Sequence, residues 1–130
     1  MKHHTFIVGL VGCLGVAMAH AQNVDFVEPQ NGQTVPTTFT VRFAVQGMTV
    51  APAGDLTEKT GHHHLLINAA DIEENAVIPM DDQHRHFGKG QTETQITLPP
   101  GSHRLTMQFA DGAHRSYGKA YRKTIEVTVK

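Results

Sequence analysis

Apolar and polar residues alternate with a period of two along most of the chain after residue 22. Val24-Asp25-Phe26-Val27 opens the pattern, which stops at Glu28-Pro29-Gln30-Asn31-Gly32, where the Asn-Gly pair signals a turn. Phe39 to Val45 alternates cleanly, with Phe39, Val41, Phe43 and Val45 toward a core and Thr40 and Arg42 toward water. Thr94 to Leu98 is a shorter run, closed by Pro99-Pro100-Gly101. From His103 to Ala110, Leu105, Met107 and Phe109 share a face, and Asp111-Gly112 then opens a turn or loop. Thr124 to Val129 ends the chain with Ile125, Val127 and Val129 inward. Side chains two apart lie on one face of a strand, so each run predicts a strand with one buried side. No apolar stripe of helical period reaches useful length; Ala69 to Ala76 holds one turn at most.

Two segments break the alternation. His62 to Asn68 carries Leu65, Leu66 and Ile67 in succession, as a strand buried on both faces would. Ala69 to about Glu93 is irregular and long for a connection in a small domain, and loops of that length are usually functional or disordered. Short strands between Gly/Pro turns predict an all-β fold. The expected architecture is an immunoglobulin-like antiparallel β-sandwich of about six to eight strands, one domain over 22–130, with one long His-containing loop.

The first 21 residues read as an export signal instead of fold. Lys2 provides a positive start, Phe6 to Ala19 an apolar run, and Ala19-His20-Ala21 a small-x-small cleavage pattern. That run falls short of the roughly 20 apolar residues that span a bilayer. Leu10-Val11-Gly12-Cys13 resembles a lipoprotein box, but the apolar run continues through Leu14, Val16 and Met18, which suits cleavage after Ala21 better. The expected location is therefore the periplasm or the cell exterior. Cys13 is the single cysteine, so the mature domain would hold neither a disulfide nor a cysteine nucleophile. The net charge of −1 offers no basic stripe for nucleic acid.

Histidine is the unusual component. Of the 10 His, His3, His4 and His20 leave with the expected signal. His62-His63-His64 puts His62 and His64 on one side of a strand and His63 on the other. His84-Arg85-His86 repeats the spacing in the long loop. Two imidazoles at i and i+2 can converge on one ion, and neutral imidazole suits zinc, copper, iron and nickel. The expected metal ligands are His62, His64, His84, His86 and His103, with His103 or His114 closing the site, and Lys89 and Glu93 as partners that orient the rings. Without thiolate a Cys-rich zinc site is excluded, leaving copper or zinc as the expected ion. Met80, near His84, is the one methionine worth testing as a soft ligand, since Met107 is in phase with the core. The competing reading is a hydrogen-bond network that pins the loop, in a non-catalytic cell-envelope interaction domain.

Catalysis finds little support. Ser102 and Ser116 are the only serines and neither sits in a nucleophile elbow. Gly88-Lys89-Gly90-Gln91-Thr92 lacks the spacing and the helix of a phosphate loop. Tyr117 and Tyr121 read as packing aromatics. No catalytic residue is assigned.

Three runs carry a family resemblance: Gly61-His62-His63-His64-Leu65-Leu66-Ile67-Asn68, then His84-Arg85-His86-Phe87-Gly88-Lys89-Gly90-Gln91-Thr92-Glu93, then Pro100-Gly101-Ser102-His103-Arg104-Leu105. Val45-Gln46-Gly47-Met48 with Pro52-Ala53-Gly54 fits the same pattern. The chain resembles a bacterial family of exported domains, domain of unknown function 4399. The resemblance implies a compact exported β domain in which the regions His62–His64, His84–Glu93 and His103 act together, and it brings no activity with it.

Overall fold

The computed structural model describes residues 23–130. The expected export signal and Cys13 lie outside the described residues. Nine strands follow in chain order: β1 (Val24–Glu28), β2 (Thr34–Val35), β3 (Thr38–Val45), β4 (Thr49–Val50), β5 (Thr60–Ile67), β6 (His84–His86), β7 (Glu93–Thr97), β8 (Gly101–Ala110) and β9 (Arg122–Val129). A single 3₁₀ turn covers Lys119–Tyr121. Six of the strands are those the sequence predicts, five from alternation and β5 from its unbroken apolar run. The other three, β2, β4 and β6, have only two or three residues, too few to leave a period in the sequence.

The strands form two sheets, one ordered β1-β3-β7 and one ordered β2-β9-β8-β5-β4, with β6 also paired to β5. Pairing is antiparallel except for β2 with β9 and β4 with β5, which run parallel. One apolar core joins the sheets. Phe26, Val41 and Phe43 of the smaller sheet meet Leu65, Leu105, Met107, Phe109, Ile125 and Val127 of the larger. Each such side chain, removed from water, contributes about 1.5–3 kcal/mol before the entropy of ordering is set against it. Tyr117 and Tyr121 pack beside Phe109.

Residues Gly61 to Ile67 of β5 are all buried. His63, Leu65 and Ile67 face the main core, and His62, His64 and Leu66 face the opposite way. The long segment after β5 folds back over that outer face. Leu66, Ile78 and Ala110 form a second apolar cluster there, with Ala69 and Ile72 against it. Backbone bonds tie this cover to the loop after β8: Asn75 N–H to the Ser116 carbonyl (2.8 Å), Ser116 N–H to Ala76 (2.9 Å) and Ile78 N–H to His114 (2.9 Å). Arg122 anchors it from β9, donating Nε to Gln108 Oε1 (2.9 Å) and Nη2 to the Ile72 carbonyl (2.5 Å). The stretch that reads as irregular is therefore a folded lid that contains β6. Its polar backbone groups are met by the 114–116 loop and by Arg122, partners far away in sequence.

Candidate metal centre

Strand geometry puts His62 and His64 side by side on the outer face of β5. Opposite them on β8 stand Ala110 and Gln108. On the other edge of β5, β6 sets His86 directly across from His64.

The fourth imidazole comes from the loop that follows β8. Asp111 organises it: its carbonyl accepts the His114 N–H (2.9 Å) and its own N–H donates to the Arg115 carbonyl (2.9 Å). Oδ1 of Asp111 accepts from the backbone of Ala113 and Arg115, and Oδ2 accepts from the Arg115 guanidinium, each at 2.9 Å. The turn leaves His114 at φ 62°, a left-handed conformation that a residue with a Cβ rarely adopts. Gly112 permits the loop's contact with its neighbour. A Cβ there would lie 2.1 Å from the Asp55 carbonyl oxygen, and Gly54 N–H bonds the Gly112 carbonyl at 2.9 Å.

Three ring nitrogens converge. His62 Nε2 lies 3.1 Å from His114 Nδ1 and 3.0 Å from His64 Nε2. One nitrogen from each of the three rings falls within 4.8 Å of the others. His62 and His64 are 0% exposed, and His86 and His114 are half-buried at the edge of the cluster. The His86 ring centroid is 5.3 Å from that of His114 and 6.0 Å from that of His64.

Burial is the main cause that pushes His62 down to about 4, with repulsion from His114 and His86 adding to it. Burial, then repulsion from His62, His114, His86 and His63, drives His64 lower still. Both rings are therefore uncharged at neutral pH, the state that can ligate a metal.

A neutral imidazole nitrogen has one in-plane direction, filled by a proton or by a lone pair. His62 Nε2 faces two other ring nitrogens, so it cannot satisfy both by hydrogen bonding. A cation among the three satisfies all of them. With metal–nitrogen bonds of about 2.0–2.1 Å, nitrogens 3.0–3.1 Å apart subtend roughly 95° at the ion, an ordinary angle between neighbouring ligands. Nδ1 of His62 and of His64 is buried with no partner among the described residues. In the tautomer with protons on those atoms, the Nε2 lone pairs would face the cluster.

Of the residues read as ligands from the sequence, the structure brings His62, His64 and His86 together. His84 shares the face of His86, but its Nδ1 lies 2.7 Å from Asp81 Oδ1. His103 sits near the far end of β8, seven residues from Ala110 and so roughly 20 Å along the strand. Its ring meets the Pro99 carbonyl (2.7 Å) and the Asn68 side chain (2.9 Å). Glu93 is on β7 of the smaller sheet, where Oε2 accepts from Arg42 Nε at 2.9 Å. Lys89 is exposed in the turn after β6, its N–H bonded to Gln91 Oε1. Met80 is 61% exposed and Met107 is buried in the main core. His114, secondary in the sequence, holds the third converging nitrogen. The signal for it was the Asp-Gly turn immediately after a strand, and what was missing was the β5–β8 register, which brings that turn to His62.

His63, on the inner face, packs between Phe43 and Phe109 at centroid distances of 4.9 and 5.0 Å. Neither of its ring nitrogens has a partner among the described residues. Burial, then repulsion from His62, lowers it to about 4.

A family model described as "Domain of unknown function (DUF4399)" matches residues 41–130. All the runs that carry the resemblance lie within that span. No curated protein matches the chain. Among solved structures, the chain is similar to the endo-beta-1,4-mannanase from Thermotoga petrophila, with 17% identity and a TM-score of 0.45. The match covers 83% of this chain and 19% of the mannanase. No helix among the described residues is long and apolar enough to cross a membrane.

Proposed function

The chain belongs to the DUF4399 family, and we propose that it is an exported binding module for a transition-metal ion, copper or zinc. His62, His64 and His114 hold the ion, and His86 stands at the edge of the site. One observation supports this above the rest: three imidazole nitrogens from two separate elements meet in a desolvated pocket, and the central one faces more neighbours than it can hydrogen-bond. A purely structural histidine network would pair ring nitrogens with carbonyl, carboxylate or amide groups, as His84 Nδ1 does with Asp81 and the His103 nitrogens do with the Pro99 carbonyl and the Asn68 amide. Export places the module in the periplasm or outside the cell, where metals are captured without competing cytosolic thiols.

The test is elemental analysis of the untagged protein after export, followed by calorimetric titration with Cu(II) and Zn(II). One equivalent should bind. His64→Ala and His114→Ala should each weaken binding at least tenfold, while His103→Ala should leave it unchanged. Absence of binding, with the first two variants merely less stable, would reduce the cluster to a structural role.

A further inference from the structure

Resting on the metal-site reading, we infer that this cradle selects a monovalent ion, Cu(I), over Cu(II) and Zn(II). The converging donors are all neutral imidazoles, and the group of ligating side chains contains no carboxylate and no thiolate. Asp111 is the carboxylate whose field reaches His62. Its Oδ1 accepts from two backbone N–H groups and its Oδ2 from the Arg115 guanidinium, so neither oxygen is free to ligate. Oδ1 of Asp81 is likewise engaged, by His84 Nδ1 at 2.7 Å and by the Gln83 N–H at 2.9 Å. A bound ion would therefore meet no directly ligating anion among these groups.

The surroundings magnify that deficit. His62 and His64 are fully buried, and Leu66, Ile78 and Ala110 form the neighbouring apolar cluster. The cost of placing an ion in a poorly polarisable environment rises with the square of its charge, so a dication faces about four times the penalty of a monocation of equal size. Divalent ions in imidazole-only sites commonly recover this through an anionic ligand in an open position, as zinc does with hydroxide. Here the fourth side chain beside the cluster is the half-buried His86, its ring 5.3 Å from that of His114 and 6.0 Å from that of His64, and it is an imidazole, not an anion. Softness alone leaves the choice open, because imidazole is a borderline donor and the thioethers of Met80 and Met107 are elsewhere. Charge decides it.

The experiment measures three affinities on the same full-length mature protein. Cu(I) is titrated anaerobically against a chromophoric cuprous chelator, and Cu(II) and Zn(II) are titrated against competing chelators. The expected order is Cu(I) tightest by at least tenfold, then Cu(II), then Zn(II), the last two following the usual order of divalent affinities. His86→Glu, checked for folding by circular dichroism, supplies the missing anion and should narrow or reverse the preference. Divalent ions that bind as tightly as Cu(I) to the unaltered protein overturn the inference and leave the metal site standing. Failure of all three ions to bind overturns both.

Discussion

His63 is enclosed by Phe43 and Phe109 with both ring nitrogens unpaired, so its charged form is strongly disfavoured in the folded state. Its folded value of about 4 lies below the ordinary 6.5, so the unfolded chain takes the proton first. The stability that depends on a neutral ring is complete above about pH 6.5 and declines as pH falls toward 4. For His63 alone that decline is on the order of 3 kcal/mol. His62 and His64 act in the same direction. Replacing the ring with an apolar side chain of similar volume removes the unpaired nitrogens. His63→Leu should therefore raise stability at pH 7 by about 1–3 kcal/mol and lessen the loss between pH 7 and 4. Urea midpoints across that range are the measurement, and an unchanged pH slope would count against the account. His114 presents the opposite trade. Its left-handed backbone costs about 1 kcal/mol relative to glycine. His114→Gly should make the metal-free protein more stable by about that amount and cut metal affinity at least tenfold, as read by denaturation with and without metal.

At the level of elements, the site depends on how closely β5 approaches β8. Gly61 makes that approach possible, since a Cβ there would lie 2.1 Å from the Ala110 carbonyl oxygen and 2.8 Å from the Phe109 ring. Gly61→Ala should cost about 1–3 kcal/mol by overpacking and weaken metal binding as well, because His62 is paired with Ala110 in that register. Gly32→Ala is the control. Its φ of 81° strains a substituted backbone, but a Cβ there has open space and lies in the turn before β2, so only stability should change. Thermal melts paired with metal titrations separate the two cases. The same elements show what the sequence could reveal. Long strands with one wet face, such as β3 and β9, announce themselves through alternation. The unbroken apolar run of Leu65, Leu66 and Ile67 correctly marks β5 as covered on both sides. Strands of two or three residues leave no period, so the pairing of β6 with β5 was illegible. His62, His64 and His86 were visible as spaced pairs. The separation of His103 from them, and the arrival of His114, follow from antiparallel register, which no local pattern encodes.

For the molecule as a whole, the imidazoles join parts that the chain keeps far apart: β5, β6 and the loop after β8. An ion bound only by the folded form stabilises it by mass action, by about 2.7 kcal/mol at a hundredfold excess over Kd. The melting temperature should rise with metal concentration, and amide exchange should slow most in residues 111–118, the segment that a bound ion would tie to β5. A rise in melting temperature with no local slowing would place binding elsewhere. The lid over β5 also bears on time. His62 and His64 touch no solvent, and the covering loops are locked by the backbone bonds of Asn75, Ser116 and Ile78. If an ion sits against these two rings, its release should be slowed by the need to part the covering loops, so its residence time should depend on a local opening rate as well as on affinity. Above a modest concentration of scavenging chelator, release should reach a plateau. Handover to an acceptor would then require that acceptor to pry the cover open or to wait for it to breathe.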